Sequence, residues 1–478
     1  MNDVENGAHD VQPTETTALL TTRTPPGQGD RVLRDADLCP IQLKSRADET
    51  AFSLIVLLYA RYNVLEQWQT GQRQVQDLHL LDQRLLGLWS AFLAQCHSEL
   101  EVEAVLWMSF PYEKQGRESK RVVDFLSGHP VLEEFLTHPV VLLSIRRTWR
   151  RGWVRNENER PFPTRLVHRF DALCTPRVLH AIDLILLMAY LATLAHFLVF
   201  PPSRSIDPTA LASPDSRERA LMLYPVAKLF KPPVYSVVPY ILVLGAFTSH
   251  LPQVPYPDDV AYGVLLFAFS WMIIDLHLPM STSPLHLFPA EVVLPRSVLI
   301  LHGIARIFIP VVTFFLPALL LSLFLLSTSL ADLFPNAMRT TFAPAPIESR
   351  VAFLSLFAVL FLLMVCSLVM LVLVYPSFAS QTSCSSWDRC SKPIGLEARR
   401  FFIRTVIRYS TPYVFPAPFN LLQICIRVPA AVLTAVCGGD NMASIHAPSL
   451  PERIVWRVTI APLGVVFGAF WLWGLKSR

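Results

Sequence analysis

Three ionisable side chains lie inside long apolar stretches of this sequence, where a charge needs a partner. Asp183 falls five residues into the first such stretch, Asp275 lies near the end of the third, and Arg306 lies within the fourth. An ionised side chain at the centre of a bilayer costs about 2.5 to 3.5 kcal/mol, so these groups should be paired, hydrated or close to an interface. We predict a charge pair of Arg306 with Asp275 or Asp183 that gates a helix bundle or lines an ion path. The alternative is a static packing pair or an interfacial position.

The remaining polar residues point to no enzyme chemistry. His196, His277 and His302 lie in or beside the same apolar stretches, and an interfacial position accounts for them well. The sequence contains no nucleophile elbow, P-loop or zinc-protease motif. Its eight cysteines include no CxxC pair and no histidine at zinc spacing. We therefore predict neither an enzyme nor a resident cofactor or metal.

The composition indicates the class of protein that holds these groups. Of its 478 residues, 52% are hydrophobic and 16% are charged, and the mean hydropathy is +0.40. A typical soluble domain is about 25% charged, and the apolar blocks here are too long for a charged surface to cover. A membrane protein is predicted and a soluble enzyme disfavoured. The net charge of +4 is mild, and the arginines gather beside apolar blocks, so no nucleic-acid partner is predicted.

The order of segments predicts an all-α protein, a polytopic transmembrane helical bundle with a soluble helical N-terminal domain. Residues 38–170 carry apolar side chains at helical spacing, for example Leu81, Leu85 and Trp89. The stretch 51–60 is too short to span a bilayer and is predicted as a core helix. The predicted divisions are a disordered tail at 1–30, a cytosolic helical domain at 31–176, a transmembrane bundle of about six segments at 177–376, a basic cytosolic loop at 377–410, and interfacial or C-terminal membrane helices at 411–478.

The arginine distribution predicts the orientation in the membrane. Arginines are dense before the first apolar block and again between Arg389 and Arg408, and basic residues favour the cytosolic side. The fourth block would be about 50 Å long as one helix, and it contains Pro310 and Pro317, so we expect it to bend or divide. Division of the fourth block into two spans would place both arginine-rich regions in the cytosol. Alternatively, residues 298–308 lie along the interface. The apolar blocks are 178–200, 234–251, 260–278, 298–330, 351–375 and 454–475.

A short pattern in the N-terminal tail is typical of a sorting signal. Glu15, Leu19 and Leu20 fit the acidic dileucine form, in which an acidic residue precedes a leucine pair by three intervening positions. Adaptor proteins bind such patterns on cytosolic tails and direct the cargo to vacuoles or lysosomes. A chance leucine pair in a linker explains the pattern equally well.

A segment after the fifth apolar block resembles one in a known family. Tyr409, the run PYVFPAPFNLL at 412–422 and the following Arg427-Val-Pro are similar to the segment after the last pore helix in fungal vacuolar channels of the transient receptor potential type. The order of parts is also similar, with a helical cytosolic domain, a basic stretch, a first span, and paired blocks at 310–330 and 351–375 that correspond to the pore pair.

This resemblance implies a calcium-permeable cation channel in the membrane of the vacuole or another endomembrane compartment. The expected partners are the lipid bilayer, inorganic cations and further copies of the chain, which would assemble around the pore pair as a homo-oligomer. Asp332 and Glu348 are the only acids between residues 330 and 351, so they become the candidate pore-loop acids.

Two other function classes stay open at this point. A secondary transporter would use interrupted helices and charge pairs near the midplane, and Pro310 and Pro317 fit such a design. A non-conducting scaffold would use the helical cytosolic domain to recruit partners to the membrane. The leading prediction remains ion passage or its regulation.

Overall fold

The computed structural model is mostly helical, as the composition predicts. Its described residues fall into two compact units. The first contains the described residues up to Ile273 together with those from Arg400 onward, and the second is Ile274–Arg399. The structure describes residues 46–69, 75–96, 98–112, 118–128, 132–152, 171, 173–201, 215–230, 237–251, 253–257, 259–331, 347–374, 385–411, 413–436 and 449–476.

In the N-terminal part of the first unit, helices of different lengths surround an apolar core. The predicted core helix at 51–60 lies within α1 (Arg46–Gln69), where Leu54 and Ile55 are fully buried, and Leu85 is buried on α2 (Val75–Gln95). A small antiparallel hairpin, absent from the prediction, pairs β1 (Ser109–Tyr112) with β2 (Glu118–Arg121). The other elements are α3 (Glu99–Trp107), α4 (Val122–Leu126), α5 (Glu133–Thr137) and α6 (Pro139–Arg151).

Four helices follow, three of them strongly apolar. α7 (Pro176–Val199) starts at an N-cap, since the Thr175 hydroxyl accepts a hydrogen bond from the Val178 N–H at 3.4 Å. α8 (Ser216–Leu229) is amphipathic and begins with a capping box formed by Asp215 and Glu218. The remaining helices of this group are α9 (Val238–Thr248) and α10 (Val260–Asp275).

The fourth apolar block is helical throughout and does not divide as predicted. α11 (Ala290–Gly303) continues through a single π-helical turn at Ile304–Phe308 into α12 (Ile309–Ala331). Pro310 has no N–H to donate to the preceding turn, and the wider π turn lies directly before it, so the helix accommodates the proline without a break. α13 (Ile347–Val374) packs along α12.

The predicted basic loop at 377–410 contains a helix, α14 (Lys392–Ser410). Ile394, Ala398, Phe402 and Val406 recur between the arginines at helical spacing, and all four are buried. This stripe was not predicted, because the dense arginines between its residues indicate a loop. The predicted closing helix at 454–475 is two helices that meet at Ile460. The final elements are α15 (Asn420–Val436), α16 (Leu450–Thr459) and α17 (Ala461–Lys476).

Two described helices are long and apolar enough to cross a membrane by length and composition, namely Pro176–Val199 and the stretch Ala290–Leu326. Shorter apolar helices lie at Val238–Thr248, Val260–Asp275 and Leu354–Cys366. At 1.5 Å per residue, the 37 residues of the second stretch extend about 55 Å, which exceeds the roughly 30 Å hydrocarbon core of a bilayer.

Candidate functional site

A buried acid on α7 lies at the centre of the first unit. Asp183 and His180 are one turn apart on α7, and Tyr190 follows on the same side two turns later. All three side chains are buried, because this side of α7 faces the interior of the unit. Asp183 is therefore removed from water, and its charge must be balanced inside the protein.

Two residues from other helices provide that balance. The Lys228 ammonium on α8 lies 3.6 Å from Asp183 Oδ1, with 8% and 1% of the respective side chains exposed. The Tyr409 hydroxyl on α14 donates a hydrogen bond of 2.8 Å to Asp183 Oδ2. We call Asp183, Lys228 and Tyr409 the buried triad. Its three residues come from α7, α8 and α14, which are far apart in the sequence.

Burial sets the protonation of the triad. Removal from solvent raises the pKa of the Tyr409 hydroxyl well above its usual range, so this group stays neutral and acts as a donor. Burial also lowers the pKa of the Lys228 ammonium, while the nearby Asp183 carboxylate opposes that shift. The triad thus has the geometry of an ion pair, with the neutral Tyr409 phenol as its third member.

Aromatic rings surround the triad. The Lys228 ammonium lies 5.4 Å from the centre of the Tyr224 ring, which stacks on Tyr190 at a centroid distance of 4.4 Å. The His180 and Tyr409 rings meet edge to face, with 5.1 Å between their centroids. Within the described residues, the buried hydroxyls of Tyr190 and Tyr224 have no hydrogen-bond partner. The triad therefore lies in a largely aromatic interior of low polarity.

The motif that carried the family resemblance contacts this same region. The Asn420 side-chain amide donates a 2.6 Å hydrogen bond to the Ala227 carbonyl, next to Lys228 at the end of α8. Further along α15, Arg427 donates to the buried Glu452 carboxylate at 2.8 Å, and Gln423 also contacts it. The motif thus ties α8 to the C-terminal helices.

A second polar cluster holds the C-terminal helices against the start of α7. The Arg457 guanidinium makes two hydrogen bonds to Asp171, of 3.1 and 2.7 Å, and the Tyr413 hydroxyl donates to the same carboxylate at 3.2 Å. The hydrogen bond to Asp171 is the largest cause of a raised pKa at Arg457. Such a paired guanidinium and carboxylate fixes orientation as well as charge.

The second unit contains a separate buried guanidinium. Arg399 donates two hydrogen bonds of 2.8 Å to Asp388, and only 2% of its side chain is exposed. Gly395 packs directly against Trp387 and Asp388. A Cβ atom at position 395 would come within 2.8 Å of the Trp387 carbonyl oxygen and would overlap the Asp388 carboxylate. A glycine is therefore required for this close approach.

Asp183, one of the predicted charged residues, has Lys228 as its ionic partner. In the second unit, Arg306 is exposed in the π turn and Asp275 is half-buried, and the described residues there include no ion pair between them. His302 pairs with Glu397 instead. Lys228 was not predicted as a site residue, because α8 is too polar to count as a span. Its i, i+4 spacing from Tyr224 nevertheless places both residues on one face of an amphipathic helix.

The other candidate residues lie at or beyond the edge of the described structure. Glu348 is in the first turn of α13. Glu15, Leu19, Leu20 and Asp332 lie outside the described residues. Among the residues that are described, no group of three or more His, Cys, Asp or Glu side chains could hold a metal ion.

Comparison with known proteins assigns no family. No protein-family model matches the sequence, and no curated protein is similar to it. At the triad, the contacts between α7, α8 and α14 hold the three helices in register.

Proposed function

We propose that the chain is a polytopic membrane protein of the vacuole or another endomembrane compartment that forms, or regulates, a cation-conducting homo-oligomer. The observation that carries the proposal is the apolar surface of the α12–α13 hairpin. Phe314 and Leu321 on α12, and Leu354 and Leu362 on α13, expose between 56% and 79% of their area. Large apolar side chains exposed to this degree along two packed helices are unsuited to water and suit lipid or further copies of the chain.

The polar interior of the first unit also supports a membrane location. The buried triad uses α7, a helix long and apolar enough to span, and its charges point inward. Charged residues in membrane bundles face the interior and pair with one another, because lipid cannot solvate them. The triad fits this arrangement, with Tyr409 of the resemblance segment as one of its members.

Membrane insertion can be tested with a matched pair of leucines. Leu362 on α13 is 62% exposed and Leu100 on α3 is 60% exposed. Leu362→Arg should reduce the membrane-integrated fraction, since arginine at the centre of a span costs about 2.5 to 3.5 kcal/mol. Leu100→Arg should leave that fraction unchanged, because it lies in the helical N-terminal domain. Equal behaviour of the two variants in carbonate extraction would contradict the proposal.

Conduction can be tested with the purified full-length protein in planar bilayers. We expect cation-selective currents that fall when the candidate pore-loop acid is neutralised by Glu348→Gln. The control is Glu134→Gln, which removes an exposed acid of the N-terminal domain. A membrane-integrated protein without currents would overturn conduction. Substrate counterflow in vesicles would then indicate a transporter, and its absence would indicate a scaffold.

A further inference from the structure

The C-terminal helices α15 and α16 have their polar and apolar sides reversed relative to a helix pair in water. On α15, Asn420, Gln423 and Arg427 contact neighbouring helices. At 3.6 residues per turn these residues occupy one side of α15, and the exposed residues Leu422, Val428 and Val432 occupy the opposite side. A surface helix of a soluble protein has the opposite arrangement.

The same reversal occurs on α16. Glu452 and Trp456 are buried, and the Trp456 indole N–H donates to the Val414 carbonyl at 2.9 Å. Leu450, Ile454 and Val458 follow one another at intervals of four residues along the other side and are 59% to 73% exposed. We call Leu422, Val428, Val432, Leu450, Ile454 and Val458 the C-terminal apolar face.

The polar groups beneath this face are satisfied by internal contacts. Glu452 accepts hydrogen bonds from Arg427 and contacts Gln423, and its side chain is 1% exposed, whereas the Arg427 side chain is 40% exposed. The carboxylate is therefore buried beneath the face and paired, because a buried charge without a partner is costly. The exposed part of the Arg427 guanidinium can reach the polar headgroups at a membrane interface.

Neighbouring packing indicates what covers the face. α17 follows α16 directly and packs against the start of α7, one of the two helices able to span a membrane. The approach is close, because a Cβ atom at Gly468 would lie 3.1 Å from the Leu173 carbonyl oxygen, and one at Gly464 would overlap the Cys174 thiol. Through α17 and the Arg457–Asp171 hydrogen bonds, α16 is therefore held near the N-terminal end of a candidate span.

We infer that the C-terminal apolar face of α15 and α16 lies against lipid acyl chains at the membrane interface, with the Glu452 carboxylate buried beneath it and paired with Arg427. The inference rests on the proposed membrane location and adds a specific membrane-contacting surface to it. Interfacial helices bury an apolar side to about 5 to 10 Å below the headgroups. The face is thus a lipid-contacting layer separate from the α12–α13 hairpin.

Site-directed spin labels can test this with three positions of equal exposure. Full-length protein in lipid nanodiscs, with the native cysteines replaced, would carry one label from Ile454→Cys, Leu362→Cys or Leu100→Cys; the native side chains are 59%, 62% and 60% exposed. Collision with oxygen, which partitions into lipid, is compared with collision with a water-soluble nickel chelate. We expect a several-fold higher ratio of oxygen to nickel collisions at 454 and 362 than at 100.

The outcomes separate this inference from the proposed function. A lipid signature at 362 together with a water signature at 454 would overturn the inference and leave the membrane proposal standing. Shielding of position 454 from both reagents would also overturn it, because protein would then cover the face. Water signatures at both 454 and 362 would overturn both. A label from Val428→Cys on α15 repeats the test, and unchanged thermal unfolding shows that each labelled protein is folded.

Discussion

The ammonium nitrogen of Lys228 lies 3.6 Å from a carboxylate oxygen of Asp183, and the Tyr409 hydroxyl holds the other oxygen at 2.8 Å. The contact joins α7, α8 and α14. A buried ion pair adds little net stability compared with apolar residues, but loss of one partner leaves a charge stranded. The packing of these three helices therefore depends on both charges together.

Breaking the triad on one side should destabilise the protein more than removing both charges. Asp183→Asn or Lys228→Met alone should lower the free energy of unfolding by about 3 to 5 kcal/mol, and the double variant should recover much of that loss. Denaturant unfolding of the full-length protein in detergent micelles measures the effect. Tyr409→Phe should cost about 1.5 to 3 kcal/mol, as expected for a hydrogen bond to a charged group. Additive single effects would contradict the pairing.

Gly395 should not tolerate a side chain. Gly395→Ala places a Cβ atom against the Trp387 carbonyl and the Asp388 carboxylate, which must move away from Arg399, so we expect a loss of about 1 to 3 kcal/mol in unfolding free energy. The control is Gly303→Ala at the end of α11, where a Cβ atom meets nothing within 4 Å. That change should be neutral or stabilise by up to about 1 kcal/mol. Similar melting temperatures for the two variants would count against the close packing at Gly395.

A buried glutamate in the N-terminal helices should make stability depend on pH. Burial raises the pKa of Glu103, and the nearby Arg147 partly opposes the shift. Because the folded-state pKa lies above the unfolded value of about 4.3, the stability that Glu103 contributes is fully present below that value and is lost as pH rises through the folded pKa. Glu103→Gln should therefore gain stability relative to the native protein as pH rises from acidic to neutral.

Glu99 provides the matched control for that experiment. A carboxylate oxygen of Glu99 lies 3.5 Å from a guanidinium nitrogen of Arg147, and the corresponding distance for Glu103 is 3.6 Å. The Glu99 side chain is 71% exposed, whereas that of Glu103 is 8% exposed. Glu99→Gln should change the unfolding free energy by at most about 1 kcal/mol, because exposed ion pairs contribute little. Identical pH profiles for the two glutamine variants would show that burial at Glu103 has no effect on its titration.

The tail pattern should direct the protein to the vacuole or lysosome. Changing Leu19→Ala together with Leu20→Ala should move a fluorescent fusion from the endomembrane to the cell surface, since the adaptor contact requires the leucine pair. Fluorescence microscopy of the full-length fusion measures this. Val32→Ala with Leu33→Ala removes a neighbouring apolar pair and should leave localisation unchanged. A fusion that stays in place without Leu19 and Leu20 would reduce the pattern to a chance match.

Helical periodicity and apolar blocks were readable from the sequence because they depend on neighbours along the chain. The core helix around residues 51–60 and the apolar helix Pro176–Val199 lie where local pattern predicts them. The helix α14 was missed because its apolar stripe is interleaved with arginines, whose charge dominated the local pattern. The fourth block was expected to bend or divide, and it does not divide, because a π turn accommodates Pro310 within the helix.

Partner choice among the charged residues was decided only by the tertiary structure. The sequence identified Asp183 as a residue that needs a partner, because desolvation of a carboxylate depends on its apolar surroundings. Lys228 is the partner because α8 packs beside α7. Tyr409 completes the site from α14, although it lies 226 residues from Asp183 in the sequence. Local sequence therefore determined which side chains had to be buried or paired. The packing of distant helices determined their partners, because pairing requires atoms within a few ångströms of each other and no spacing along the chain specifies such a distance.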